Sequence, residues 1–282
     1  MTPLDLKPGT LHIVATPIGN LGDISLRMRE VLAAADIIAC EDTRHTRKLL
    51  SHLNINAKLI SCHRDNEQQK AGWLIKQLLA GSNVALVSDA GTPGLSDPGA
   101  VLVRAARAAG IVVLPVPGPS ALATALSVAG LADASFYFGG FLPAKKSERR
   151  KQLTALKPLS CALIFYEAPH RIEAALQDCL DILSDRPAQI FRELTKLHEE
   201  HLSGLLSELL ERMRGKVLGE LVLIISGAEE KQQEERPENL DALILWHRDQ
   251  GSSLKDAARQ IAETLDLPKS QVYQQALRLW QT

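Results

Sequence analysis

A polar loop at residues 88–99 constrains the fold of this chain more than any other stretch. It contains three glycines, two prolines, two aspartates, two serines and a threonine. It follows the largely apolar run 83–87, which is typical of a buried strand, and precedes residues 101–109, which have helical spacing. Open α/β sheets bind ligands beyond the carboxyl ends of their strands, so a long loop at this point predicts a binding site. A plain tight turn is the alternative, but such a turn rarely needs so many special residues.

The first half of the chain alternates between short apolar runs and segments with helical spacing. Strands are predicted at residues 11–15, 36–40, 57–62, 83–87 and 111–116. Strands that are separated by helices favour a parallel, doubly wound sheet. We therefore assign residues 1–117 to an N-terminal α/β domain.

The second half has a different pattern. Strand-like runs are present at residues 135–143, 161–166, 189–191, 199–202 and 221–225, and helices are predicted at 172–183 and 203–214. Because several of these runs have no full helix between them, the pattern predicts a mixed sheet. We assign residues 118–228 to this C-terminal α/β domain.

A polar, charged linker at residues 229–237 leads to a helical extension, residues 238–282. Helices are predicted at 254–265 and 271–280, with Ser270 as the N-cap of the second, and together they resemble a helix-turn-helix. Such a pair is either a nucleic-acid-binding module or a hairpin that packs on the body or on a second subunit. The second helix has only Lys269 and Arg278 as basic residues, which favours packing.

The net charge of −1 gives the chain no global basic field, so any nucleic-acid surface is expected to be a local patch. The basic residues are densest at 145–151. No apolar run approaches the roughly 18 residues of a membrane span, and the first residues do not resemble a signal peptide, which favours a cytoplasmic enzyme. The four cysteines form no CxxC pair, so no metal site is predicted, and Cys40, Cys62 and Cys161 are expected to be buried.

Polar residues also follow other predicted strands. Glu41 and Asp42 come after the second strand, where either a site or a helix start capped by Asp42 or Thr43 explains them. Residues 117–120, Pro-Gly-Pro-Ser, open a helix. We expect the free N–H groups of that helix start to face a polar ligand.

Eight of these stretches occur in an order that resembles the small-subunit ribosomal RNA methyltransferases of the tetrapyrrole methylase superfamily. Each stretch alone is weakly diagnostic, but eight in order are specific, and the resemblance covers nearly the whole chain, from about Leu11 to Trp280. The eight stretches are TPIGNL at 16–21, EDTR at 41–44, SDAGTPGLSDPG at 88–99, PGPS at 117–120, GFLP at 140–143, FYE at 165–167, PHR at 169–171 and RELTK at 192–196.

This resemblance implies a two-domain enzyme that uses S-adenosylmethionine and acts as a homodimer. Its expected reaction is methylation of the ribose 2′-oxygen of a cytidine in small-subunit ribosomal RNA, with the RNA or the assembled small subunit as partner. A methyltransferase of the same fold that acts on a tetrapyrrole or on a protein side chain is the alternative, because a fold does not determine a function.

The resemblance also implies that the cofactor lies in the cleft between the two domains. The expected cofactor-binding residues are Pro17, Gly91, Thr92, Leu95, Ser120, Tyr166, Gly219 and Glu220. Gly91 is included because glycine allows a ligand to approach the backbone.

Methyl transfer to a hydroxyl requires precise positioning and removal of the hydroxyl proton. Asp89, Glu41 and Glu193 are the candidate general bases. The candidates for holding a phosphate or for lowering the pKa of the hydroxyl by a nearby positive charge are Lys196, Arg44 and Arg171. Asp97 is interpreted as a loop cap. The residues predicted to bind RNA are Arg44, Lys145, Lys146, Arg149, Arg150, Lys151 and Arg171.

Overall fold

The computed structural model describes residues 6–215, 217–229, 239–265 and 267–280. The chain divides into two compact units, Met1–Ala228 and Glu229–Thr282. The larger unit contains two five-stranded sheets. The domain boundary expected between residues 117 and 118 falls within this unit and stays a prediction.

The first sheet is parallel throughout. Its strands and helices are β1 (Leu11–Val14), α1 (Leu26–Ala34), β2 (Ile37–Cys40), α2 (Thr43–His52), β3 (Lys58–Ser61), α3 (Glu67–Leu79), β4 (Val84–Val87), α4 (Ala100–Ala108), β5 (Val113–Val116) and α5 (Ala121–Ala129). The strand order is β3-β2-β4-β1-β5. Leu74 and Leu102 pack on one face of this sheet, and Leu32 and Leu50 pack on the other. The predicted doubly wound arrangement is confirmed.

The second sheet is mixed, as predicted. Its elements are β6 (Phe136–Phe141), α6 (Lys146–Leu156), β7 (Ala162–Glu167), α7 (Ile172–Leu183), β8 (Pro187–Arg192), β9 (Glu200–Leu205), α8 (Leu206–Arg212) and β10 (Leu221–Ile225). The order is β6-β7-β10-β8-β9, in which only the β6 and β7 pair is parallel. The helix predicted from residue 203 begins at Leu206, because β9 continues to pair with β8 as far as Leu205 opposite Pro187.

A buried glutamate fixes the end of the long loop 88–99. Oε1 of Glu67 accepts the N–H of Gly99 at 2.8 Å and the N–H of Val101 at 3.0 Å. These are free donors at the start of α4, so Glu67 from α3 caps a helix that is distant in sequence. The loop is thereby held between two fixed ends, β4 and α4.

The smaller unit contains the helices α9 (Leu240–Asp249), α10 (Leu254–Leu265) and α11 (Lys269–Leu279). The sequence did not predict α9, which buries Ile244 against Ile261 and Val272. The predicted N-cap of α11 is wrong. Pro268 is the N-cap, and its carbonyl already accepts the N–H of Gln271 at 2.9 Å.

Apart from Glu229, the predicted linker 229–237 lies outside the described residues, as does Asp266 in the turn before α11. Both interpretations of the helical extension stay predictions. Among the described helices, none combines the length and the apolar character needed to cross a bilayer.

Candidate active site

The described residues enclose a cleft of about 310 Å³ between the loops of the first sheet and the strand ends of the second sheet. Nine of the predicted catalytic and cofactor-binding residues line it. They are Asp89, Gly91, Thr92, Leu95, Ser120, Tyr166, Glu193, Lys196 and Glu220. Residues that are far apart in sequence therefore meet in one place, as expected for strands whose carboxyl ends share an edge.

Three loops of the first sheet form one wall of the cleft. Gly91 and Thr16 exchange two backbone hydrogen bonds, of 2.8 and 3.0 Å, which tie the loop after β4 to the end of β1. The hydroxyl of Thr92 donates to the carbonyl of Pro119 at 3.2 Å, just before α5. Gly91 has a φ of +78°, a conformation that favours glycine. The loop is therefore held in one shape by its neighbours.

The start of α5 is already capped. Oγ of Ser120 accepts the N–H of Ala123 at 3.5 Å, and the hydroxyl of Tyr166 accepts the N–H of Leu122 at 3.1 Å. The N–H groups of Leu122 and Ala123 are therefore not free for a ligand, contrary to expectation, because side chains of the chain itself accept them. Burial raises the pKa of Tyr166, which keeps its hydroxyl neutral.

Aromatic side chains form an apolar surface beside Tyr166. Its ring meets those of Phe138 and Phe141 edge-on, with centroids 5.0 and 5.6 Å apart. Phe141 lines the cleft although half of its surface is exposed. A planar ring of a ligand could pack against this surface.

The opposite wall carries a charged group of three side chains. Nζ of Lys196 lies 2.8 Å from Oε1 of Glu193 and 3.1 Å from Oε2 of Glu220. The Lys196 ammonium holds the pKa of Glu193 below its usual range. Burial acts to lower the pKa of Lys196, but the bonds to the two carboxylates outweigh it, so the net shift is upward. Lys196 is therefore charged and oriented.

Two glycines leave room for this group. A Cβ on Gly19 would lie 2.4 Å from Cγ of Lys196, and one on Gly219 would lie 2.4 Å from the Glu193 side chain. Neither Gly219 nor Pro17 lines the cleft, whereas Ile18 does. For these two predicted cofactor-binding residues, the structure thus places the adjacent residues, Glu220 and Ile18, at the cleft.

A second charged group consists of carboxylates. Asp97 lines the cleft, and burial, followed by the charge of Glu41, raises its pKa to about 6. Asp89 also lines the cleft, and its Oδ1 accepts the N–H of Asp42 at 3.0 Å. Glu41 does not line the cleft, and burial raises its pKa. Asp97 also has a side-chain hydrogen bond with Ser88, at the other end of the same loop, so its interpretation as a loop cap stays a prediction.

Asp42 caps α2, as one of the two alternatives for this stretch predicted. Its Oδ1 accepts the N–H of Arg44 at 2.8 Å, and the carboxylate also pairs with the Arg44 guanidinium. That pairing holds the pKa of Asp42 well below its usual range. Arg44 remains largely exposed, so it is available to an RNA ligand.

Two of the arginines predicted to bind RNA serve the fold instead. Arg149 is 5 % exposed and lies 2.6 Å from the buried Asp178. Arg150 bridges Asp178 and Asp181, at 2.8 and 2.9 Å. Because a buried carboxylate requires a partner, these bonds hold α6 on α7. The prediction that Arg149 contacts RNA is wrong, and Arg150 is largely committed to these acids.

The other predicted RNA-binding residues differ in accessibility. Lys146 and Lys151 are exposed on α6, and Lys145, just before this helix, lies 3.4 Å from Glu148. Arg171 lies 3.2 Å from Oε1 of Glu167 and donates to the carbonyl of Leu142. Arg171 therefore positions the end of β7 rather than presenting a free charge.

Comparison with known proteins identifies the family. A sequence model of the Tetrapyrrole (Corrin/Porphyrin) Methylases matches residues 10–210. The chain belongs to this family. The expected resemblance and fold class are confirmed.

Curated relatives match the chain over nearly its whole length. A protein of Xylella fastidiosa is 48% identical over 272 residues, covering 94% of this chain and 98% of the relative. A protein of Escherichia coli O157:H7 is 46% identical over 277 residues, covering 97% and 96%. Both relatives carry the name ribosomal RNA small subunit methyltransferase I.

Solved structures of this methylase family share the fold. The methyltransferase CobJ superposes with a TM-score of 0.60 at 18% identity, covering 78% of this chain and 95% of that one. Uroporphyrin-III-C-methyltransferase from Thermus thermophilus gives 0.56 at 19% identity, covering 77% and 94%. At these identities the likeness concerns the fold alone.

Several cleft residues were not predicted from the sequence. They are Ile18, Ala90, Asp97, Ala121, Phe141, Glu167, Ala168, Pro169, Leu194, Leu221 and Val222. Most of them are direct neighbours of predicted residues. The motifs therefore indicated which segments form the cleft, but not which residue of each segment lines it. Among the described residues, no group of three or more His, Cys, Asp or Glu side chains is arranged to hold a metal ion.

Proposed function

We propose that this protein transfers a methyl group from S-adenosylmethionine to the ribose 2′-oxygen of a cytidine in small-subunit ribosomal RNA. The proposal rests on the similarity, over nearly the full length, to relatives named ribosomal RNA small subunit methyltransferase I. The cleft supports it, because residues of the sequence motifs line it. The proposal extends to action in the cytoplasm and as a homodimer.

The cleft suits the proposed cofactor in size and chemistry. Ile18, Leu95 and Val222 offer apolar surface for an adenine ring, and the carboxylates of Asp89 and Asp97 favour a positive charge nearby. We propose that Thr92, Ser120 and Tyr166 contribute polar contacts. When bound, S-adenosylmethionine supplies an electrophilic methyl group on a positively charged sulfur.

We propose Asp97 as the proton acceptor for the ribose hydroxyl. A general base works best when its pKa lies near the operating pH, and the pKa of Asp97 is about 6. Glu193 fits this role less well, because Lys196 holds it in the ionised form and lowers its basicity. Asp89 already accepts the Asp42 N–H, and Glu41 lies outside the lining.

Lys196 is proposed to stabilise negative charge that develops on the ribose oxygen. Its ammonium lines the cleft and is oriented by Glu193 and Glu220. A fixed positive charge in a site that excludes water stabilises an oxyanion more strongly than a solvated charge does. Lys196 would thereby ease the proton transfer to Asp97.

The proposal is tested with labelled S-adenosylmethionine and undermethylated small ribosomal subunits, in parallel with their deproteinised RNA. We expect label in one cytidine. The adjacent phosphodiester bond should resist alkali, because alkaline cleavage of RNA requires a free 2′-hydroxyl. An RNA with a 2′-deoxy sugar at that position should bind but accept no label. Label in a base, in protein or in a tetrapyrrole only would overturn the proposal.

A further inference from the structure

The first two turns of α2 carry three exposed cations. Arg44, Arg47 and Lys48 are spaced by three and four residues, so they lie on neighbouring parts of one helix face. The Arg44 side chain is 84% exposed. Arg47 and Lys48 have no carboxylate within ion-pair distance among the described residues. Their charges are thus directed to solvent and not used to hold the fold.

This face lies next to the cleft. The backbone N–H of Asp42, the N-cap of α2, donates to the cleft residue Asp89 at 3.0 Å. Lys48 is four residues beyond Arg44, which is about 6 Å along a helix axis. Side chains on a helix tilt toward its N-terminus, so these long side chains lean toward the mouth of the cleft.

The loop after β3 adds a further cation at the same edge. Arg64 is exposed, and its charge partly offsets the upward pKa shift that burial and Asp89 cause in Glu41, which immediately precedes Asp42. Because β2 and β3 are parallel neighbours, the loops that follow them leave the sheet at the same side. We call Arg44, Arg47, Lys48 and Arg64 the basic rim.

The charges on α2 are placed where they do not help the helix. The N-terminal end of a helix has partial positive charge, and cations there are unfavourable. The first turn of α2 contains no acidic residue, and the Asp42 cap compensates Arg44 alone. An approaching phosphate, in contrast, is attracted both by the helix end and by the cations. The arrangement suits a polyanion.

We propose that the basic rim binds the RNA phosphates that flank the target nucleotide, and this inference rests on the proposed function. The carboxylates inside the cleft repel phosphate, whereas the rim outside attracts it. Together they favour a pose in which the backbone lies on the rim and a single ribose enters the cleft. Arg149 and Arg150 are paired with Asp178 of α7. The basic rim therefore takes their place as the main surface proposed to bind RNA.

The test is the double variant Arg47→Gln/Lys48→Gln, which leaves the Arg44 pair intact. Binding to a deproteinised fragment of undermethylated small-subunit RNA is measured across a salt series. Each lost phosphate contact should reduce the slope of log K against log salt by about 0.7–0.9, so the double variant should lose roughly 1.4–1.8. We expect KM for RNA to rise about tenfold or more. A tenfold change corresponds to about 1.4 kcal/mol of binding energy.

Three further readouts separate this role from a structural one. The affinity for S-adenosylmethionine, measured by calorimetry without RNA, should not change. The kcat at saturating RNA should not change either. The melting temperature should stay equal or rise, because two cations leave the positive end of a helix. Weaker RNA binding together with a lower melting temperature and lost cofactor affinity would overturn the proposal.

A matched control is available on the other face of the sheet. Lys76 and Arg107 are exposed and lie in the last turns of α3 and α4, at the edge opposite the cleft. Lys76→Gln/Arg107→Gln removes the same charge. We expect its salt slope to match that of the wild type. Equal slopes and KM values for the two double variants would overturn the proposal, whereas an inactive wild-type protein would instead overturn the proposed function.

Discussion

The stem of Lys196 occupies the space where Gly19 lacks a side chain. A Cβ at Gly19 would lie 2.4 Å from Cγ of Lys196, and Gly19 also has a φ of +140°. Lys196 follows β8 of the second sheet, and Gly19 lies in the loop after β1 of the first. The contact between these two residues therefore packs a loop of the first sheet against a loop of the second sheet beside the cleft.

This contact predicts the effect of a single added methyl group. Gly19→Ala should displace Lys196 and reduce kcat/KM by about tenfold to a hundredfold, because a shift of about 1 Å in a reacting group can cost that much. Gly72 in α3 is the control, since a Cβ there meets nothing within 4 Å. Gly72→Ala should leave the rate unchanged and raise stability slightly. Equal rates for the two variants would contradict the proposed position of Lys196.

Removing the Lys196 charge should reduce the rate more than it reduces cofactor binding. We expect Lys196→Met to lower kcat by at least about tenfold, because a charge that acts on the transition state is lost. The pKa of Glu193 should rise toward its ordinary value, since Lys196 is the largest cause of its depression. Steady-state kinetics and calorimetry check this prediction, and an unchanged kcat would exclude Lys196 from the chemical step.

Asp97 predicts a pH dependence of the rate. If its carboxylate accepts the ribose proton, kcat/KM should rise with pH up to about 6 and then level off, following its pKa. Asp97→Asn should lose about 100-fold or more in kcat and lose this acidic limb. Asp89→Asn is the comparison variant, because it also removes a carboxylate from the cleft while its amide oxygen can still accept the N–H of Asp42. An intact acidic limb in Asp97→Asn would rule out Asp97.

The same carboxyl predicts a pH dependence of stability. Its pKa is raised in the folded protein, so folding favours the protonated form. The contribution of this carboxyl to the free energy of unfolding should therefore be fully present below about pH 4, the pKa of an aspartate in the unfolded chain. It should be lost as the pH rises through the folded pKa of about 6. Asp97→Asn should be more stable than wild type at pH 8, by about 1 kcal/mol after allowing for solvent screening. Urea titrations at pH 4 and pH 8 measure this difference.

The buried ion pair between α6 and α7 predicts a large loss of stability. Arg149→Met should cost about 3 kcal/mol, because Asp178 stays buried with only Arg150 as a partner. Lys146→Met on the exposed side of α6 should change stability by less than about 0.5 kcal/mol. Urea unfolding of the two variants tests the assignment. Equal stability would mean that Arg149 is not required for the fold.

From the sequence alone, the order of the strands along the chain and the type of each sheet could be predicted. The alternation of short apolar runs with helical segments predicted all five strands of the first sheet, and the missing helices predicted the mixed second sheet. Polar loops at strand ends predicted most of the cleft, including Thr92, Tyr166 and Lys196. These features are local, because the side-chain period of a strand or helix and the conformational preferences of glycine and proline act within a few residues.

Which charged residues are free to act depends on tertiary packing. Arg149 and Arg47 belong to similar basic stretches, yet Arg149 is buried on Asp178 whereas Arg47 is exposed. Asp97 was interpreted from the sequence only as a loop cap, and packing also places it in the cleft near Glu41, which is distant in sequence. A charge acquires its pKa and its partners from groups that the fold brings within a few ångströms, and no local pattern specifies those groups.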